Sequence, residues 1–261
     1  MRTNVVSCGI LIALLIAGGL PGGWQTAGPK ASPFDRPLRT VRMDLGLSEF
    51  YAPAQKMHSY LTCTYYPEFM VKDLNLRQKG EEWIGIVPLH QGRSPRCVKE
   101  QEKEEMRLDK WEGYFAGVVG KLIFIDNSDG LNGSMGFFVF DAPTGRRIFY
   151  DQAKRNYKMK NGNLVWEGER LRIDRRTEGT PVLKYTRGYF AECSLQKDGA
   201  ACWSKIRAST GLPAMAAPAC TGEYKDDPGD PSVVFFPVQV ELGQKMVAQP
   251  VPGPVRCEAQ D

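Results

Sequence analysis

The sequence predicts an all-β fold: an antiparallel β-sandwich or meander with one short helix, stapled by disulfides. Two patterns and one count carry that expectation. Short aromatic and β-branched runs recur between Gly, Pro, Asn and Asp turns along most of the 261 residues, the mark of antiparallel strands met in chain order. Between Trp111 and Asp151, six glycines fall from Gly113 to Gly136, and each costs a helix interior about 1 kcal/mol relative to Ala. Six cysteines remain once Cys8, inside an apolar N-terminal run, is set aside. An even number suits paired staples.

The N-terminus comes first. Arg2 precedes an uncharged, mainly apolar run from Val5 to Leu20, followed by Pro21-Gly22-Gly23. A basic start, an apolar middle and small residues after it form the layout of a secretory signal. Residues 1–27 are therefore read as a signal peptide, and the protein as exported to a periplasmic or extracellular space. Ala17-Gly18-Gly19 and Thr26-Ala27-Gly28 both offer small residues for cleavage. The run is shorter than the roughly 20 apolar residues of a spanning helix. An uncleaved anchor is the competing reading; after signal removal no membrane span is expected. Residues 28–40 read as a flexible leader, and 41–257 as a single β-rich domain.

Within that domain Val41 to Phe50 reads as a strand and turn. Leu61 to Tyr65, Phe69 to Leu76 and Trp83 to Val87 read as the first three full strands, the last stopped by Pro88. The charged run Lys99 to Leu108 pairs its charges poorly at helical spacing and reads as a solvated short helix or loop, without functional weight. Tyr114 to Val119, Leu122 to Ile125, Gly136 to Phe140 and Arg147 to Tyr150 follow. Phe137-Phe138-Val139-Phe140 has no polar alternate, so this strand is expected to be covered on both faces.

Asn161-Gly162 between Tyr157–Lys160 and Leu164–Trp166 is a hairpin signal. In Val182 to Phe190 the alternation of Leu183 and Tyr185 with Lys184 and Thr186 predicts one wet face. Arg170 to Arg176 reads as a solvated strand face. Trp203, Ile206 and Leu212, closed by Gly211 and Pro213, suit one or two helical turns. Pro237 inside the run Val234 to Leu242 removes a ladder donor and predicts an edge strand or a bulge.

Six cysteines allow many connectivities, and sequence does not choose among them; the pairing expected is nearest neighbours: Cys63 with Cys97, Cys193 with Cys202, and Cys220 with Cys257. Asp198-Gly199 between the middle pair is a hairpin-type turn. The last pair would tie down the proline-rich tail Pro250 to Pro254.

Function is less legible. Hydrophobic residues at 42% and charged residues at 25% are ordinary for a globular chain. A formal charge of +4 without a clustered Lys/Arg stripe excludes nucleic acid as the expected partner. Asp126-Asn127-Ser128-Asp129-Gly130-Leu131-Asn132 is rich in hard oxygen ligands. Counted from Asp126, however, Gly falls at the fifth position of an EF-hand instead of the sixth, and Phe137 stands where Glu is required. A polar turn loop is the better reading, and no metal is expected.

Asn132-Gly133-Ser134-Met135-Gly136 matches a nucleophile elbow only in part, since a strand follows where a helix is needed. Both histidines, His58 and His90, precede Ser134 and precede Cys202, so neither residue has a base in the usual chain order. Val139 to Ile148 resembles the strand, Asp-x-x-Thr-Gly turn and strand of quinoprotein-type β-propeller blades. It occurs once, and a propeller needs a repeating period.

Two function classes follow. The first is a non-catalytic exported binding or envelope-associated module without a cofactor, whose loops Asp126 to Ser134 and Glu223 to Pro231 meet a glycan or protein ligand, with Asp126, Asn127, Asp129 and Asn132 as binding candidates. The second is an exported hydrolase using the carboxylates of Asp126, Asp129 and Asp141, which requires two of them to converge.

Overall fold

The computed structural model describes residues 32–90, 94–109, 112–160, 163–167, 171–175, 179–221, 229–243 and 245–260, with backbone alone at 131, 156–160 and 163–167. The N-terminal apolar run, the Asn161-Gly162 turn and most of the loop from Glu223 to Pro231 lie outside these residues. Over the described residues the chain is a mostly antiparallel β protein with one α-helix and a short 3-10 turn at Pro53–Gln55.

Five strands build the first sheet in chain order: β1 Arg39–Leu47, β2 His58–Tyr65, β3 Phe69–Asn75, β4 Trp83–Pro88 and β5 Met106–Arg107. The chain then makes a meander, β6 Gly113–Val119, β7 Leu122–Leu131, β8 Ser134–Asp141 and β9 Arg146–Lys154, and a separate ribbon of β10 Asn156–Lys160 and β11 Asn163–Glu167. Next come β12 Arg172–Asp174, β13 Val182–Phe190, α1 Leu195–Thr210 and β14 Cys220–Thr221. The chain ends with β15 Ser232–Glu241, β16 Gln249–Pro250 and β17 Arg256–Ala259. The second sheet has ten strands. Its main path runs β14-β17-β15-β13-β9-β8-β7-β6, with β12 on β13 and β16 on β15.

Three apolar layers result from the period-two alternation of these strands. On one face of the ten-stranded sheet, Phe124, Phe137, Val139, Tyr185, Val234 and Phe236 pack with Leu195, Trp203 and Ile206 of α1. On the opposite face, Val118, Ile123, Ile125, Phe138 and Phe140 meet Phe69, Val71, Ile84 and Ile86 of the five-stranded sheet. The alternate residues of β8 therefore enter different cores, and the double coverage expected of Phe137 to Phe140 is found. The outer face of the small sheet carries Leu61, Cys63, Met70 and Leu74.

All three expected disulfides form: Cys63–Cys97, Cys193–Cys202 and Cys220–Cys257. The helix is longer than expected, because Ser194 caps its start through the Lys197 amide and Gly211 ends it in the left-handed region. Asp198-Gly199 is not a hairpin turn. Gly199 takes φ 52° and kinks the helical segment instead, which lets Cys202 turn back to Cys193.

Other expectations change for physical reasons. Asp126 to Leu131 is strand, with an irregular register between Asp126 and Gly130; the turn is Asn132-Gly133, both at positive φ (50° and 65°). That pair has the Asn-Gly chemistry of a tight hairpin, so the partial elbow is a β-turn. Pro237 does not lie on an edge strand, since β15 pairs with β13 along its length. Its carbonyl accepts from the Val251 amide on the side away from β13. The missing N–H therefore points to where the neighbour of β15 changes from β17 to β16.

From residue 33 the expected leader is docked. The Phe34 ring sits 5.3 Å from that of Phe124 and fills the space where Gly117 lacks a side chain, and Asp35 pairs with Arg175 at 2.6 Å. The charged run before Leu108 is not wholly solvated either. Glu105 is fully buried, its carboxylate held by Lys72 at 2.6 Å and Arg107 at 2.7 Å.

Candidate functional site

The sequence candidates spread along one hairpin. Asp126 pairs with Arg155 at 3.2 Å. Asn127 accepts the Asp129 amide at 3.2 Å, Asp129 meets Lys79 on the surface, and Asn132 donates to the Ala259 carbonyl at 2.5 Å. Asp141 lies at the other end of the hairpin, opposite Leu122, where it accepts from the Thr144 hydroxyl. Four positions of β7 separate Leu122 from Asp126, about 13 Å at roughly 3.3 Å per residue. Asp126 and Asp129 share one end of the hairpin, and Asp141 does not join them. Ser134 is 1% exposed, its hydroxyl standing 2.1 Å from where a side chain on Gly188 would begin.

Two carboxyls outside that set do share an environment. Asp73 on β3 is 7% exposed, and burial pushes its pKa up to about 7 against the opposing pull of Thr62 and Arg42. Glu81, in the turn before β4, is pushed up to about 8 by burial and then by the charge of Asp73. Its Oε2 is buried with no hydrogen-bond partner among the described residues. These acids stand where the apolar face of β3 ends beyond Val71, beside the junction at which the Glu81 amide donates to the Gly113 carbonyl. In the other core, Asp151 is also raised by burial, while Arg187 at 2.8 Å and the Tyr185 hydroxyl hold it.

A third constellation combines charge with space. The small sheet covers only the β6–β8 part of its side of the large sheet. Farther along the same side, Lys154 from β9, Arg172 from β12, Lys184 from β13 and Arg256 from β17 surround a hollow of about 370 Å³. Register explains the convergence. Arg172 and Gln239 both stand opposite Lys184, and Arg256 stands opposite Phe235, so these side chains share one face. The floor is Phe235 and Pro237, and Val251 and Pro254 of the tail form a wall.

The tail is held firmly. Cys220–Cys257 ties its end, the Val251 amide donates to the Pro237 carbonyl at 3.0 Å, and Gly253 approaches Pro237 so closely that a Cβ there would lie 2.6 Å from its ring. The hollow opens where β17 gives way to β16 along β15.

Charge around the hollow is only partly neutralised. The Lys154 ammonium lies 3.7 Å from the Phe235 ring centre and 2.5 Å from Glu258. Asp174 is shared by Lys184 at 2.6 Å and Arg172 at 3.1 Å. Arg256 is exposed and makes no ion pair among the described residues. Among the described residues four cations thus face two carboxylates, an arrangement that attracts anions and repels metal cations.

Compared with protein-family models, curated proteins and solved structures, the chain matches none. The reading of the site therefore rests on its own chemistry. Sequence reasoning marks Lys184 and Thr186 as a wet face, Arg172 as part of a solvated strand and Pro237 as a ladder break. No local signal joins them to Lys154 and Arg256.

Proposed function

We propose that this protein is an exported binding module whose ligand surface is the open side of the ten-stranded sheet around the basic hollow. The observation that carries the reading is the convergence of Lys154, Arg172, Lys184 and Arg256 on a walled cavity with surplus positive charge. Its volume falls within the range of small-ligand sites, about 300–1,000 Å³. Export is supported by the signal-like N-terminus and by three disulfides, which persist in oxidising compartments. No helix among the described residues is long and apolar enough to cross a membrane.

The hairpin residues Asp126, Asn127, Asp129 and Asn132 form a competing surface for the same class of function. A fragment screen read by amide NMR shifts separates the two. Hits are expected to perturb β9, β13, β15 and β17 together; hits confined to the β7–β8 hairpin would move the ligand surface there. Mass spectrometry of the secreted chain should find a mature N-terminus downstream of the apolar run. An intact Met1 on a chain found inside the cell with its six later cysteines reduced would refute export.

A further inference from the structure

We infer that the hollow takes a tetrahedral oxyanion, a phosphate or sulfate ester carried on a body of about monosaccharide size; this rests on the binding reading above. The charges around the hollow have distinct roles. Asp174 pairs with Lys184 and Arg172, and Glu258 holds Lys154 against the Phe235 ring. Lys154, pinned between Glu258 and the Phe235 ring, is thereby positioned before any ligand arrives, which lowers its ordering cost on binding, whereas Lys184 and Arg172 remain largely exposed.

Arg256 is the cation of this set without a carboxylate among the described residues. Its planar fork of donors fits two oxygens of one anion. Donors coming from different strands suit a tetrahedral group, which presents several acceptor oxygens, better than a planar one. Lys154 is 18% exposed in its side chain, and charge attraction is stronger in such partly desolvated surroundings than in open water. Pro237 and Pro254, above the buried Phe235, add an apolar surface for the body that carries the anion. A cavity near the lower end of the small-ligand range leaves room for a compact body, not a long chain.

The test titrates the disulfide-bonded mature chain with glucose 6-phosphate, glucose 6-sulfate and glucose at low salt, read by calorimetry and by amide shifts. The esters should bind, shifting β13, β15 and β17, while glucose does not. Binding should weaken several-fold as salt rises, because the attraction is screened. Arg256→Gln should weaken ester binding roughly tenfold, the loss of one charge-assisted hydrogen bond, and Lys184→Gln should weaken it as well. Exposed Lys103→Gln, away from the hollow, should change nothing.

The two sources part with pH. A phosphate monoester gains its second charge near pH 6, whereas a sulfate ester does not. A phosphate site should bind glucose 6-phosphate more tightly at pH 7 than at pH 5; a sulfate site should favour glucose 6-sulfate at both. Equal binding of glucose and its esters would overturn the oxyanion assignment, and so would ester binding unaffected by Arg256→Gln and Lys184→Gln together. No ester binding, with neutral fragments still mapping to this face, would also overturn it while leaving the binding-module reading intact.

Discussion

Asp73 and Glu81 make stability fall as pH rises. In the folded protein their pKa values are lifted to about 7 and about 8 from ordinary values of 3.8 and 4.5. The folded state therefore holds protons that the unfolded chain has released, and stability drops with pH wherever the native state binds more protons. The contribution is whole below about pH 4 and lost as pH passes through 7 and 8. A rise of about three units is worth about 4 kcal/mol per carboxyl. Part of the Glu81 rise comes from the charge of Asp73, so the two costs overlap.

Asp73→Asn should match the wild type near pH 4 and exceed its stability at pH 8.5 by up to about 4 kcal/mol. Glu81→Gln should act in the same direction, and the double variant should gain less than the sum of the two. The assay is urea unfolding at a series of pH values with the disulfides intact, followed by Trp fluorescence. If the difference between wild type and Asp73→Asn stays constant from pH 4 to 8.5, the buried-acid reasoning fails.

Three further outcomes follow from the packing. Glu105→Gln leaves Lys72 buried without its counter-charge and should cost about 3–5 kcal/mol, while the apolar pair Lys72→Met with Glu105→Leu should recover most of it in thermal melts; equal melting of the single and double variants would contradict that. Ser134→Ala removes a buried hydroxyl with no hydrogen-bond partner among the described residues, so stability should hold or rise by up to about 1 kcal/mol. A marked loss would reveal a partner for Ser134. Replacing Cys220 and Cys257 together by Ala opens a 37-residue separation and should cost about 4 kcal/mol by chain entropy. The same change should speed exchange of the tail amides over Pro237, and unchanged exchange would show that packing alone holds the tail.

Local chemistry made much of this protein readable in advance. The strands of the Trp111–Asp151 stretch were legible because apolar runs and turn residues alternate there at short range. A disulfide framework was legible from the even cysteine count, but a count does not choose among connectivities; the fold does, joining each cysteine to its next neighbour along the chain. Where local signals competed, reading was harder. Asn132-Gly133 resembled part of an elbow until the pairing of Leu131 with Ser134 showed a two-residue turn. Lys72 and Asp73 sit side by side in an apolar strand and enter opposite faces, one toward Glu105 and the other toward Glu81.

Alone, then, the sequence determined the β character and which residues of a strand share a face, since each follows from neighbours a few positions apart, and its even cysteine count pointed to staples without pairing them. Tertiary structure alone decided that Lys154, Arg172, Lys184 and Arg256 surround one cavity. Period-two alternation assigns a side chain to a face, whereas the order and register of strands distant in sequence decide which charges meet across it.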